Sequence, residues 1–179
     1  MSQVGAVYGQ ALYGLAKDEN LADEILQELM VLEESFASEP EFLRLLAAPN
    51  VAVEERCRIV DEVFCGKVQT YVLNFLKILT EKGVVKAFSQ CVAAYREQYN
   101  QDHNILPVTA VTAVPLSQAQ VERLTEKLSA ITGKTAQVMN RVDPACLGGV
   151  RLDYDGKRVD GSVTARLDAV RNMLKNTVL

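Results

Sequence analysis

The chain has 179 residues, of which 49% are hydrophobic and 23% are charged, and its formal net charge is −4. This size and composition are typical of a soluble protein with one or two cores, and they exclude disordered and fibrous classes. No apolar run approaches the roughly 20 residues needed to cross a bilayer, and the N-terminus lacks the pattern of a signal peptide. We therefore expect a cytosolic protein that associates with membranes only through a partner.

Helical periodicity extends over the first 104 residues. Apolar side chains recur at three- and four-residue spacing, which places them along one face of each predicted helix. The predicted helices cover residues 4–17, 21–36, 40–48, 53–65, 69–83 and 84–101. A capping box formed by Ser38 and Glu41, with Pro40 in the first turn, should begin the third helix, and Gly83 should end the fifth in a left-handed conformation. Six helices with short loops predict an antiparallel bundle over residues 1–104.

The period changes in the remaining residues, where valine and threonine become frequent. Strands are predicted at 105–114, at 136–143 and on both sides of a turn within 148–162, and helices at 117–132 and 162–175. Ser117 and Ser162 are the predicted N-caps of these two helices. The predicted fold class is therefore α+β, with a six-helix bundle (1–104) followed by a small α+β domain (105–179).

The charges divide at the same boundary. Residues 1–104 contain 9 Lys and Arg against 16 Asp and Glu, a net charge of −7, whereas residues 105–179 contain 10 against 7, a net charge of +3. An acidic helical half argues against nucleic acid as a partner. The modestly basic second half is consistent with an acidic partner or with a solvated surface, and both interpretations stay open.

Catalytic and metal-binding chemistry has few candidates in this sequence. The single histidine, His103, lies in a polar linker and is expected to be solvated, so no hydroxyl or thiol has a histidine partner for nucleophilic catalysis. The cysteines stand too far apart for a zinc site and are predicted to be buried free thiols: Cys57, Cys65, Cys91 and Cys146. Paired acids such as Glu33 and Glu34 are typical of solvent-facing helix surfaces. We therefore expect no catalytic residue, no metal and no cofactor.

Two glycine-lysine pairs superficially resemble a nucleotide-binding loop. Gly133 and Gly156 each precede a lysine, but the first glycine of that loop is missing in both cases, and Gly133 is predicted at the end of a helix, where the dipole repels phosphate. Gly156 with Asp155 is better explained as a two-residue hairpin turn. Gly148 and Gly149 are predicted to mark a bulge or a close backbone approach where a strand begins. These glycines favour structural roles over phosphate binding.

The first and fifth predicted helices carry more apolar surface than one buried stripe requires. The first contains Gly5, Gly9 and Gly14, small residues that would let another helix approach closely, and the fifth spreads its apolar residues over more than half of its circumference. A groove between two such helices suits an amphipathic helix from a partner. The alternative, that both helices are simply central in the bundle, is equally consistent with the pattern.

Several segments resemble one known family. They are Val7-Tyr8-Gly9-Gln10-Ala11-Leu12, the segment 74–83, Val142-Asp143, Leu147-Gly148-Gly149, Val150, Leu152, Val159-Asp160-Gly161-Ser162-Val163 and Arg166-Leu167. The order of residues between 142 and 167 is the most specific part. Over nearly its whole length the chain resembles the delta subunits of bacterial F-type ATP synthases, relatives of the mitochondrial oligomycin sensitivity-conferring protein.

The resemblance implies a non-catalytic stator subunit at the cytoplasmic face of the cell membrane, which couples ion-driven rotor rotation to ATP synthesis. The helical domain would hold N-terminal helices of the alpha subunits, with the beta subunit as a further candidate, and the C-terminal domain would bind the b subunits of the peripheral stalk. The implied alpha-binding residues are Tyr8, Ala11, Leu12, Leu15, Asn74, Ile78 and Leu79. The implied structural residues on the stalk side are Gly148, Gly149, Asp160, Gly161 and Ser162.

Two other interpretations of the sequence remain. The first is a helical adaptor or regulatory protein that is unrelated to energy conversion, and the second is an enzyme acting on a small molecule. Recovery with a membrane-bound ATPase would distinguish the stator from the adaptor, and nucleotide binding by the isolated chain would favour the enzyme.

Overall fold

The computed structural model describes residues 3–146 and 148–161. Its described residues form seven α-helices and one four-stranded sheet, so the predicted α+β class is confirmed. The chain divides into two compact units, Met1–Tyr99 and Asn100–Leu179. The sequence places the division after residue 104, just beyond the sixth predicted helix (84–101), whereas the compact units divide after Tyr99, before that helix ends.

The first unit contains the helical half of the chain. Its helices are α1 (Gln3–Asp18), α2 (Ala22–Ser38), α3 (Pro40–Leu46), α4 (Val53–Phe64), α5 (Thr70–Glu81) and α6 (Phe88–Asp102, whose last three residues belong to the second unit). A short 3₁₀ turn, Val85–Ala87, precedes α6. Gly83 has a φ of +67° after the end of α5, as predicted, because a residue without a Cβ adopts the left-handed conformation at low cost.

One apolar core receives side chains from every helix of the first unit. Its members with no exposed surface are Ala16, Ile25, Leu46, Val60, Val72, Leu76, Leu79, Val85, Phe88, Val92 and Tyr95. Phe36 lies among other aromatic rings, with its centroid 5.0 Å from that of Phe88 and 5.9 Å from that of Phe42. Aromatic pairs at these separations add to the stabilisation that comes from buried area.

The start of α3 differs from the prediction. Ser38 is the last residue of α2, and its hydroxyl donates to the Glu34 carbonyl at 3.0 Å instead of capping α3. Glu39 precedes α3 without a side-chain cap, and Pro40 occupies the first turn as predicted. The predicted capping box is therefore wrong, because the hydroxyl is already engaged by the preceding helix. At the C-terminal end of α3, the buried Arg56 guanidinium donates a hydrogen bond to the Leu46 carbonyl at 2.9 Å.

The second unit is built on a four-stranded sheet. Its elements are β1 (Ile105–Thr112), α7 (Gln118–Thr132), β2 (Thr135–Val142), β3 (Val150–Tyr154) and β4 (Lys157–Asp160). The strand order is β2-β1-β3-β4, with β1 parallel to β2 and antiparallel to β3, and β3 antiparallel to β4. The long parallel connection from β1 to β2 is made by α7, as parallel pairing requires.

Caps and turns in the second unit agree with the sequence predictions. Ser117 accepts a hydrogen bond from the Gln120 backbone, and the Gln120 side chain accepts one from the Ser117 backbone, which completes a capping box at α7. Gly133 ends α7 in a left-handed conformation. Asp155 and Gly156 have φ values of +47° and +69°, the signs that a type I′ hairpin turn needs. The predicted final helix and its cap Ser162, together with Leu147, lie outside the described residues.

Candidate functional site

An apolar groove runs along the surface of the first unit between α1 and α5, with a volume of about 460 Å³. Its lining residues are Tyr8, Ala11, Leu12 and Leu15 from α1 and Tyr71, Asn74, Phe75 and Ile78 from α5. None of these eight side chains is charged, and Asn74 supplies the only amide. Positions spaced by three, four and seven residues lie on one face of a helix, which is why each wall is continuous.

Six of the seven implied alpha-binding residues line this groove. The exception is Leu79, which has no exposed surface and belongs to the core. One residue along a helix turns the side chain by about 100°, so Leu79 faces inward where Ile78 faces outward. Tyr71 and Phe75 line the groove although the resemblance did not single them out. Their spacing from Ile78, at seven and three residues, is the signal that could have identified them.

The groove keeps apolar side chains in contact with solvent. Of its lining residues, Leu15 and Ile78 are each 42% exposed; outside the lining, Val4 and Val7 at the start of α1 are 37% and 63% exposed. Single exposed apolar residues are ordinary on protein surfaces, but a continuous apolar strip along two neighbouring helices is typical of a binding surface.

Two of the three glycines of α1 contact α6 of the same chain. A Cβ atom built on Gly5 would lie 2.6 Å from the Gln90 Cβ, and one built on Gly9 would lie 2.9 Å from the Ala94 Cβ. No atom lies within 4 Å of a Cβ built on Gly14. Gly5 and Gly9 therefore allow another helix to approach α1 closely, as the sequence predicts, and this helix is α6.

The contacts between α1 and α6 also fix their relative direction. Gly5 meets Gln90, Gly9 meets Ala94, and the Tyr13 ring lies 5.2 Å from that of Tyr95. Contacts therefore advance along both helices together, so α1 and α6 run parallel. The predicted antiparallel arrangement does not extend to this pair.

The α5 wall is tied to two other helices. The Lys77 ammonium lies 2.8 Å from the Asp61 carboxylate of α4, and this hydrogen bond raises the pKa of Lys77. At the start of α5, the Gln69 backbone amide donates to the Glu28 carboxylate of α2 at 2.8 Å. These contacts hold α5 from its start to its middle and leave the face with Asn74 open.

The described residues offer no group of three or more His, Cys, Asp or Glu side chains that could hold a metal ion. All four cysteines are free thiols. Cys91 and Cys146 are buried as predicted and Cys57 is half-buried, but Cys65 is exposed, because it lies just beyond the last residue of α4. Burial raises the pKa of the Cys91 thiol to about 11 and also raises the pKa of Cys57. A raised thiol pKa opposes nucleophilic reactivity.

The described residues of the segment 142–167, the most specific part of the family resemblance, make structural contacts. Gly149 has a φ of +84° just before β3. The Gly161 amide donates to the Val150 carbonyl at 3.1 Å, and a Cβ on Gly161 would lie 3.0 Å from that oxygen, so the close approach favours glycine. Asp160 pairs in register with Arg151 across β3 and β4. Gly148 lies in the bend before β3.

Within the described ranges, no helix combines the length and apolarity that a membrane span requires. The fold and the groove define a class: an α+β protein of two compact units with an uncharged apolar groove on its helical unit. The family model for the ATP synthase delta (OSCP) subunit matches residues 4–174. The chain belongs to the ATP synthase delta (OSCP) subunit family, and it is a non-catalytic stator component of the F-type ATP synthase.

Similar proteins span the whole chain. It is 30% identical over 172 residues to ATP synthase subunit delta of Clostridioides difficile (strain 630), covering 96% of this chain and 95% of the relative. It is 31% identical over 172 residues to ATP synthase subunit delta of Alkaliphilus oremlandii (strain OhILAs), covering 96% of each. Both relatives are therefore matched over nearly their full length.

Two solved structures are similar in fold. A chain of the Toxoplasma gondii mitochondrial ATP synthase hexamer matches with a TM-score of 0.76 and 19% identity over 97% of this chain and 98% of that chain. A chain of Polytomella F-ATP synthase, from a refinement of the F1 head and rotor, matches with a TM-score of 0.50 and 26% identity over 55% of this chain and 88% of that chain. The first match covers nearly the full length of both chains.

Proposed function

We propose that this stator subunit links the catalytic head of the ATP synthase to its peripheral stalk. The helical unit, arranged as a six-helix bundle, binds the N-terminal helix of an alpha subunit in the groove between α1 and α5, with the beta subunit as a further contact. The second unit binds the b subunits of the stalk. The protein is thus a peripheral component at the cytoplasmic face of the cell membrane, held there by the complex.

The observation that carries the proposal is the shape and chemistry of the groove. Two helices present apolar side chains along parallel strips, which is the surface that receives the apolar face of an amphipathic helix. Leu15 and Ile78, each 42% exposed, would lose this exposed surface on binding. The Polytomella match comes from a refinement of the F1 head and rotor, which also supports contact with the head.

The absence of charge among the eight lining side chains indicates how the partner is held. Burial of apolar area supplies the affinity, and Asn74 offers one hydrogen-bonding group toward the partner. Salt weakens the attraction between charged groups, but it strengthens or leaves unchanged the stabilisation that comes from burying apolar surface. Binding to the groove is therefore expected to be nearly independent of salt concentration.

Family membership and surface chemistry support the stalk assignment of the second unit. Residues 105–179 carry a net charge of +3, and all four residues of β4 are exposed, including Lys157 and Arg158. On β2, Met139 is 73% exposed. This combination of exposed basic and apolar side chains suits a helical partner with acidic and apolar faces.

Ala11→Asp tests the groove. Ala11 is exposed in the free protein, so the introduced carboxylate remains hydrated and the fold is preserved. Bound to an apolar helix, the carboxylate loses water without gaining a partner, and we expect the Kd for a synthetic alpha N-terminal peptide to rise by about tenfold to a hundredfold. Isothermal titration calorimetry of the full chain measures this change.

Gln10→Asp is the matched control. It places the same charge one residue earlier on α1, at an exposed position outside the groove lining. We expect Gln10→Asp to bind the peptide as the wild type does. Equal affinities for Ala11→Asp and the wild type would show that the peptide does not use this groove.

A further inference from the structure

We infer that Gly9 is a positioning residue for the groove: its close contact with α6 sets the position of the α1 wall. This inference rests on the proposed function, because it concerns how the same groove fits a helix. Gly9 lies next to Tyr8 and one turn before Leu12 on α1, and both of these side chains line the groove. Gly9 itself is buried and turned toward α6.

The contact at Gly9 involves backbone as well as side-chain atoms. A Cβ at this position would overlap the carbonyl oxygen of Cys91, and it would lie 3.1 Å from the Cys91 carbonyl carbon and 2.9 Å from the Ala94 Cβ. Backbone atoms inside a helix cannot rotate away as the end of a long side chain can. A methyl group at Gly9 therefore requires one of the two helices to move.

The helix that moves is α1, because α6 is fixed in the core. Phe88, Val92 and Tyr95 of α6 have no exposed surface, and the Tyr95 hydroxyl donates to the Ala22 carbonyl of α2 at 2.9 Å. Moving α6 would disturb all of these contacts. By contrast, α1 has its outer side in solvent, with Val7 63% exposed.

The movement of α1 would be largest near Tyr8. Toward its end, α1 is anchored by Ala16, which has no exposed surface, and by Tyr13, whose ring meets Tyr95 edge-on. An added methyl group at Gly9 would tilt the N-terminal half of α1 about these anchors. Tyr8 would then shift relative to α5, and the groove would no longer match the helix that it binds.

The test compares Gly9→Ala with Gly14→Ala in the full chain. Both changes give α1 the same gain in helix propensity, but the Gly14 Cβ meets no atom within 4 Å and Gly14 does not line the groove. We expect Gly9→Ala to raise the Kd for the alpha N-terminal peptide by about tenfold and Gly14→Ala to leave the Kd unchanged. In ¹H–¹⁵N spectra, the amides of Tyr71 and Asn74 should shift in Gly9→Ala only.

The outcomes separate the two proposals. If the wild type does not bind the peptide, the groove assignment fails, and the role of Gly9 fails with it. If the wild type and Gly9→Ala bind equally well, the groove assignment stands and the positioning role is overturned. If Gly9→Ala does not fold, Gly5→Ala decides, since its Cβ meets the Gln90 Cβ at 2.6 Å nearer the start of α1. Weakened peptide binding by folded Gly5→Ala supports positioning by the α6 contact, and unchanged binding overturns it.

Discussion

The two compact units are stabilised in different ways. In the helical unit, side chains from six helices converge on one apolar core, which includes two fully buried aromatic residues, Phe88 and Tyr95. In the described part of the second unit, α7 has no buried residue and every residue of β4 is exposed. This part of the second unit is stabilised by strand pairing, a capping box and a type I′ turn, together with a small core centred on β1.

This difference explains why the groove lies on the helical unit. A large core holds α1 and α5 in place through their inner faces, so their outer faces remain free to present apolar side chains. Holding an apolar surface in water is unfavourable, and the stability of the underlying core has to exceed that cost. The described part of the second unit presents mainly polar and charged side chains on its hairpin, including an ion pair between Arg158 and Asp153.

Because the two units have separate cores, we expect the truncation of one core side chain in the helical unit to destabilise that unit alone. Phe88→Ala removes a ring with no exposed surface that lies 5.0 Å from the Phe36 ring, and we expect the free energy of unfolding of this unit to fall by about 3–5 kcal/mol. Native-state hydrogen exchange should show lost protection across α5 and α6 and unchanged protection in β1.

Phe64→Ala is the matched control for this truncation. Phe64 also contacts Phe36, at 6.1 Å between centroids, but is only half-buried, so the same change should cost clearly less. Equal loss of protection in α6 and in β1 in Phe88→Ala would mean that the two units unfold together, and the distinction between them would be wrong.

A buried thiol gives the helical unit a pH dependence of its own. Burial raises the pKa of Cys91 from 9.0 to about 11. Between these values the folded protein keeps the proton and the unfolded chain releases it, so the free energy of unfolding falls as the pH rises. We expect Cys91 to account for a loss of about 2 kcal/mol between pH 9 and pH 11, measured by urea denaturation.

Cys91→Ala should remove this part of the pH dependence, and Cys65→Ala, at an exposed thiol, should leave it unchanged. Tyr95 remains in both variants, and because burial raises its pKa from 10.0, it adds its own loss of stability above about pH 10 in each of them. A Cys91→Ala protein that loses as much stability as the wild type between pH 9 and pH 11 would contradict the assignment.

The sequence identifies helix faces better than it identifies which neighbour covers them. Periodicity places Tyr8, Ala11 and Leu12 on one face of α1, and the structure brings them to one groove. It does not separate Ile78 from Leu79, since both are apolar and adjacent, and only the packing of α5 shows which of them is buried. The same limit applies to Gly9, whose neighbour is α6 of the same chain, about 80 residues away in sequence.

Short sequence patterns predict turns and caps correctly where all the residues that interact lie within a few positions of one another. The Asp155-Gly156 turn needs two positive φ angles, and its own residues determine whether these are accessible. Ser38 shows the opposite case. Its spacing from Glu41 satisfies the capping-box pattern, but α2 extends to Ser38, and the Ser38 hydroxyl donates to the Glu34 carbonyl within α2. A sequence pattern cannot show which of two adjoining helices such a hydroxyl serves.

Ser38 and Ser117 both match the capping-box pattern, and replacing each of them tests the difference between the two units through the smallest expected change in stability. In Ser117→Ala, α7 loses the side-chain acceptor of its capping box, and we expect the second unit to lose about 1 kcal/mol of unfolding free energy. In Ser38→Ala, a hydroxyl that only donates to the Glu34 carbonyl is removed, so the helical unit should change by less than about 0.5 kcal/mol. Urea denaturation combined with hydrogen exchange assigns each change to its unit. Equal costs at the two sites would mean that Ser38 caps α3 in solution, since a cap contributes only when its oxygen accepts from the first turn of the helix.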